Sequence, residues 1–460
     1  MIPAATAGIW IAERVPAPKA TWIPRTPLDE PAHYYLVVSR DDGGALRAFI
    51  RNPEFNAGSS FGTRETLPAP DRDGSITLGG IEPDPRPLTF HRATDADLRW
   101  FYPRAAAAWT YHAPSPLNDG WKSGTLASVG MTEQPIHEFI DPIVALRNPS
   151  LRSPYVHSIS IERHGTLVLD EYFYGFTAET PHDVRSAGKS VTTLLTGRAI
   201  EDTRRFTPAS RVVALLPQYA PIAHNDARKA AMTVADLMTM SSGLACDDND
   251  DKSPGNEDTM QSQSGKPDWY RYTLDLPMVS QPGTRSVYCS AGINLLGAVV
   301  ASETGVPLTT YFAERFAVPM QFETYAMWLM PQPPLFAYMG GGDYFRPRDF
   351  LKFGALLLSE GRWNGRQIVD PSWIAASIVP RSAPEGEGDR YGYGWHLNRI
   401  RVDGRSYDAI NAGGNGGQLM IVVPQLDTAI MVTAGNYNQY PVWRTFLPQV
   451  VTAVVRSCVR

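Results

Sequence analysis

Three cysteines in 460 residues, Cys246, Cys289 and Cys458, are too few to build a disulfide scaffold. None sits in a C-x-x-C pair or at zinc spacing from histidines, so no metal site is predicted. No apolar run is long enough to span a bilayer. No lysine- or arginine-rich run supplies the electrostatic footprint of a nucleic-acid or membrane-surface partner. The formal net charge of -5 points the same way. The opening Met1-Ile2-Pro3-Ala4-Ala5 lacks the basic and apolar regions of a secretion signal. It predicts a cytoplasmic chain, with a periplasmic or secreted location as the alternative if a leader has been removed.

What is present is globular: 43% hydrophobic and 19% charged residues can bury a sizeable core. A chain this long exceeds one ordinary core, so two domains, or one with an added module, are expected. Short β-rich runs at Tyr34–Ser39, Ala45–Ile50 and Gly74–Leu78, separated by Gly-, Asp- and Pro-rich turns, predict a β-rich module over residues 1–113. Residues 114–133 read as a polar connection and 134–460 as the main domain, with a helical subdomain at about 200–330. Helical spacing begins at Gln134 and runs to Leu146. Strands are predicted at His157–Glu162, Thr166–Phe173, Gln418–Val423 and Thr428–Thr433, and a closing helix at Trp443–Val455. Strands at both ends of a helical middle imply one sheet assembled from distant segments.

The strongest chemical signal is Ser186-Ala187-Gly188-Lys189, an S-x-x-K leading into the helical run Ser190–Leu195. Residues three apart share a helix face, so Lys189 can reach the Ser186 hydroxyl. A serine needs a base to attack at neutral pH, and a desolvated lysine can be that base. Taken alone the motif also fits an ordinary helix N-cap. Gly188-Lys189-Ser190 mimics a P-loop ending, but the required first glycine would fall at Asp183. Gly58-Ser59-Ser60-Phe61-Gly62 matches a nucleophile elbow, yet the Pro-rich, charged stretch after it is no helix.

Two further signals follow. Tyr288-Cys289-Ser290 precedes the run Ala291–Gly297; its tyrosine is either a core residue or a proton shuttle. Gly413-Gly414-Asn415-Gly416-Gly417-Gln418 leads into Leu419–Val423, either as a plain hairpin turn or as a strand edge that approaches a ligand closely.

The order S-x-x-K, Y-x-S about a hundred residues later, then a glycine-rich strand, resembles the class C β-lactamase-like and penicillin-binding-protein-like serine hydrolases. Met232–Leu244, Gln281-Pro282-Gly283, Arg346–Gly354 and Gly361–Val369 are similar to segments of that superfamily. The ending Gly414–Gln418 is closest to the branch with 6-aminohexanoate-oligomer hydrolases and related esterases. The resemblance implies an α/β (α+β) fold of β-lactamase/transpeptidase type: an antiparallel sheet flanked by helices with a helical subdomain. It implies Ser186 as nucleophile, Lys189 as base and Tyr288 as proton relay. The backbone N–H groups of Ser186 and Asn415 would hold the oxyanion, and Ser290, Gly414 and Gly416 would contact substrate.

The implied substrate is a small ester or amide, with no metal or organic cofactor. Two departures weigh against a β-lactamase or D,D-peptidase. No Lys or His lies between Asp408 and Gln418, and Ser290 replaces the usual Asn; both changes remove groups that would hold a substrate carboxylate. A non-catalytic binding module of the same fold is the alternative from another class. The resemblance also places Cys246 and Cys289 along one cleft. They are then either close enough to bond or two unrelated buried thiols.

Overall fold

The computed structural model describes residues 2–14, 32–41, 43–53, 63–79, 86–106, 108–147, 149–150, 152–263, 265–332 and 336–459. The elbow-like residues 58–62 lie outside them.

The runs Leu419–Val423 and Thr428–Thr433 carry almost no polar residue, which suits strands covered on both faces. Side chains alternate across a strand. Met420, Val422, Ala429 and Met431 accordingly join one core, and Ile421, Val423, Ile430 and Val432 join another. These strands lie inside an eight-stranded sheet. Its order is Arg390–Tyr391, His396–Val402, Arg405–Gly414, Gln418–Val423, Thr428–Ala434, Val156–Arg163, Thr166–Tyr172 and Lys122–Ser123. All pairings are antiparallel except the last, where Lys122–Ser123 runs parallel to Thr166–Leu167. The join between distant segments is the pairing of Thr428–Ala434 with Val156–Arg163, in register Ile430 with Ile161. His164 and Gly165 both adopt positive φ, at 54° and 68°, which matches a hairpin turn to the twist of its strands.

Helices Gln134–Val144 and Tyr440–Cys458 pack on one face, and Pro347–Leu358 on the other. In the same core as Pro347–Leu358 lie two nearly enclosed helices packed on each other, Gly188–Thr203 and Ser290–Thr304. Ser290–Thr304 carries small and apolar residues on every side, and Gly188–Thr203 mixes buried polar with apolar residues all round, so neither reads as amphipathic. Shorter helices, among them Val234–Met238, Glu257–Gln261 and Trp269–Leu274, fill the region between these two in sequence. The fold is thus a mixed α/β structure of the β-lactamase/transpeptidase kind.

Near the N-terminus six strands form a second sheet, in the order Thr63–Arg64, Leu46–Arg51, Ala32–Arg40, Gly8–Arg14, Leu88–Arg92, Ile76–Leu78. It buries its own small core of Trp10, Leu36, Ile50, Ile76 and Phe90. Among the described residues no single helix is long and apolar enough to cross a membrane.

Candidate active site

The S-x-x-K serine is held by strand pairing before any helix begins. His182–Asp183 pairs with Tyr344–Phe345, and Val184 N donates to Asp343 O at 3.0 Å. Asp183 Oδ1 then accepts from Arg185 N at 2.8 Å, and Arg185 turns left-handed with φ 52°. Ser186 therefore sits in a single 3₁₀ turn, Arg185–Ala187, which feeds the helix Gly188–Thr203. The sequence predicted the first helical turn itself; the bend at Arg185 delays the α-helix by two residues. Gly341, with φ 127°, closes against this turn. A Cβ there would stand 2.8 Å from Arg185 O and 3.1 Å from Ser186 Cα.

Lys189 Nζ donates to Ser186 Oγ at 2.8 Å, as the three-residue spacing demands. Lys189 is only 1% exposed. Burial lowers its pKa below the ordinary lysine value, and the nearby carboxylates of Glu257, Asp248 and Glu387 pull the other way. Its ammonium lies 5.0 Å from the ring centroid of Tyr288. Tyr288 is hydrogen-bonded to Ser186, yet burial still raises its pKa well above that of a free phenol. It therefore remains a protonated donor at neutral pH. The three residues picked from the sequence converge on one hydroxyl.

Ser290, expected to touch substrate, is fully buried. Its N–H and Oγ both donate to Asp248 Oδ2, at 2.7 and 2.6 Å. Asp248 thus caps the helix Ser290–Thr304, and burial together with the charge of Glu257 pushes its carboxyl up to about 6. Glu257 Oε1 accepts from Tyr338 Oη at 2.5 Å. Neither acid was singled out from the sequence, because both lie in a loop-rich stretch among other acids and belong to no motif.

A third group missed in the sequence is His396, whose ring stacks on Tyr288 with centroids 6.3 Å apart. Burial and the positive charge of Lys189 push its pKa down to about 4, which leaves a neutral imidazole. The glycine-rich segment between Asp408 and Gln418 carries no Lys or His, and its antiparallel neighbour supplies a histidine, with His396 opposite Asn411.

Gly414 lies against the nucleophile turn, where a Cβ would overlap the carbonyl oxygen of Val184. The hairpin thereby brings Asn415 alongside the Ser186 turn. Asn415 is anchored at its tip: Asn415 Nδ2 donates to Asn438 Oδ1 at 2.6 Å, and Asn438 N donates to Asn415 Oδ1 at 2.8 Å. Gly416, with φ 102°, leaves room for the ring of Tyr437. Cys246 and Cys289 form a disulfide with Cα atoms 5.5 Å apart, so the closer of the two readings holds. Cys458 is a free, buried thiol.

The β-lactamase family model matches residues 157–441. A 6-aminohexanoate-dimer hydrolase of Paenarthrobacter ureafaciens is 23% identical over 282 residues, 58% of this chain and 69% of that protein. An uncharacterised protein of Mycobacterium tuberculosis is 25% identical over 252 residues, 46% of this chain; the match spans 62% of that protein's length. Simvastatin synthase of Aspergillus terreus superposes with a TM-score of 0.53 at 17% identity, covering 67% of this chain and 94% of that structure. The matched span contains Ser186, Lys189, Tyr288 and the glycine hairpin.

Proposed function

We propose that this chain, which belongs to the β-lactamase family, hydrolyses a small carboxylic ester or amide through an acyl-enzyme on Ser186. The observation that carries the reading is the buried Lys189 amine 2.8 Å from Ser186 Oγ. In its neutral form that amine accepts the hydroxyl proton as Oγ bonds to the substrate carbonyl carbon. The carbonyl electron pair moves to the oxygen, held by the N–H groups of Ser186 and Asn415. Collapse of the tetrahedral species breaks the bond to the leaving group, which takes a proton through Tyr288. Water then attacks the ester on Ser186. Its proton passes through Tyr288 back to Ser186 Oγ as the bond from Oγ to the acyl carbon breaks, and the freed acid departs.

Ester or amide is favoured over β-lactam by charge. A β-lactam brings a carboxylate, and here Asp248, Glu257 and Glu387 surround the lysine. A relative named for hydrolysing the 6-aminohexanoate dimer supports an amide bond as a target. The Cys246–Cys289 bond favours an oxidising compartment, periplasmic or secreted, over the cytoplasm. The six-stranded N-terminal sheet is read as a module attached to the hydrolase domain.

Purified protein assayed with short-chain aryl esters, with nitrocefin and with a fluorophosphonate probe tests the reading. Ester turnover with labelling of Ser186, and little nitrocefin cleavage, is the expected outcome. A protein that neither turns over any ester or amide nor takes the label would be a binding module, and the proposal would fall.

A further inference from the structure

Among the contacts between the N-terminal sheet and the hydrolase domain, which include Arg51 with Pro149 O and Tyr155 Oη, one loop also touches the candidate site. Gly435 to Asn438 follows the strand Thr428–Ala434 and leads toward the helix Tyr440–Cys458. Tyr437 is 3% exposed and belongs to the buried cluster of the N-terminal sheet; every other buried member of that cluster lies between residues 10 and 90. On its other side the same ring meets two parts of the site. Arg185, next to the nucleophile, places its guanidinium carbon 4.7 Å from the ring centroid. Gly416, next to Asn415, lies so close that a Cβ would stand 2.8 Å from the ring.

The flanking residues of the loop make the same connection. Asn436 is fully buried; its N–H donates to Gly416 O at 3.0 Å, and its side chain ties to Tyr155 N and Ser153 O. Asn438 exchanges two hydrogen bonds with the Asn415 side chain. Gly435 packs against Pro53 O, two residues past the strand Leu46–Arg51, where a Cβ would stand at 2.6 Å. The same carbonyl is 2.7 Å from His157 Nε2, and His157 Nδ1 is 2.7 Å from Nε2 of His182, on the strand that leads to Ser186.

We propose that residues 435–438 are a latch through which the N-terminal sheet fixes the glycine hairpin against the Ser186 turn, with Tyr437 as the positioning residue. The proposal rests on the reading of Asn415 as an oxyanion donor. Such a donor works only when held where charge develops, and misplacement by about 1 Å can cost on the order of a hundredfold in rate. A ring wedged between a separate core and the two faces of the site can hold them in that relation. The sheet then acts on kcat without reaching the substrate.

The test uses the whole 460-residue sequence with Tyr437→Leu, which replaces the ring by a smaller apolar side chain, and Asn438→Ala, which removes the exposed side chain that accepts from Asn415 Nδ2. Steady-state kinetics on a short-chain aryl ester are paired with hydrogen–deuterium exchange over residues 413–418 and 183–187. Both variants are expected to lose roughly tenfold or more in kcat with KM within about threefold, and to exchange faster in both segments. A simple staple would lower Tm and leave kcat of the folded protein intact; that result, or unchanged exchange in both segments, overturns the latch. Should Tyr437→Leu fail to fold, Asn438→Ala decides alone. If the wild-type chain neither turns over ester nor takes the fluorophosphonate label, the Ser186 reading fails separately. The exchange data then decide whether the loop orders the hairpin.

Discussion

Replacing Lys189 by arginine keeps a positive charge in the site and removes a base, which makes it the sharpest test of the role given to that lysine. The amine lies 2.8 Å from Ser186 Oγ and is 1% exposed, so burial already favours its neutral form. For an arginine to accept a proton near pH 7, its pKa would have to fall by more than about five units, or about 7 kcal/mol. Proteins do not deprotonate arginine. The larger planar head must also fit beside the Tyr288 ring, where the ammonium now lies 5.0 Å from the centroid. Lys189→Arg is therefore expected to lose on the order of 10³-fold or more in kcat, close to the loss in Lys189→Ala. The assay is steady-state hydrolysis of a short-chain aryl ester, with circular dichroism to show both variants folded. If Lys189→Arg stays within tenfold of wild type, the lysine is only an electrostatic partner, and the base lies elsewhere.

Three further predictions follow from the same geometry. Ser186→Ala should abolish turnover and fluorophosphonate labelling while the far-UV spectrum is unchanged; more than a tenth of wild-type activity in purified protein contradicts the assignment. The neutral lysine is the active form, so kcat/KM should rise with pH through a midpoint below the ordinary lysine value. Asp248→Asn removes a charge that favours the protonated form and should move that limb to lower pH, by roughly one unit; a limb that stays put or moves up refutes the coupling. Reducing Cys246–Cys289 opens a loop of 43 residues, and chain entropy sets that loss at about 4 kcal/mol. A clear drop in Tm with dithiothreitol, and none in the Cys246→Ser/Cys289→Ser variant, would bear this out.

What could be read from the sequence was local or periodic. Lys189 follows Ser186 by one turn, so helix geometry alone joins them. The strands at residues 156–172 and 418–434 announced themselves through residues that alternate between two buried faces. The disulfide partners were named through their neighbours and left as two readings, because Cα separation has no signature in a sequence. What escaped depends on contacts between distant segments. Asp248 and Glu257 lie in a loop-rich stretch with several other acids, where nothing local marks these two. His396 belongs to a neighbouring strand and enters the site only through the register that sets it opposite Asn411. Tyr437 lies three residues past a strand end and belongs to no motif.

Asp248 shows why such residues matter more than the motif beside them. In the sequence Ser290 stood as the polar group of Tyr288-Cys289-Ser290. In the fold both of its donors point at Asp248. Asp248 N also donates to Tyr288 O at 2.8 Å, and the neighbouring Cys246–Cys289 bond ties the same two chain segments. The acid that biases the Lys189 proton is therefore fixed to the backbone of the tyrosine that relays it. A substitution of Ser290 by alanine removes one hydrogen bond from a carboxyl already pushed up to about 6. That loss raises the carboxyl further, weakens its hold on the protonated lysine at neutral pH, and so reaches the nucleophile without touching it.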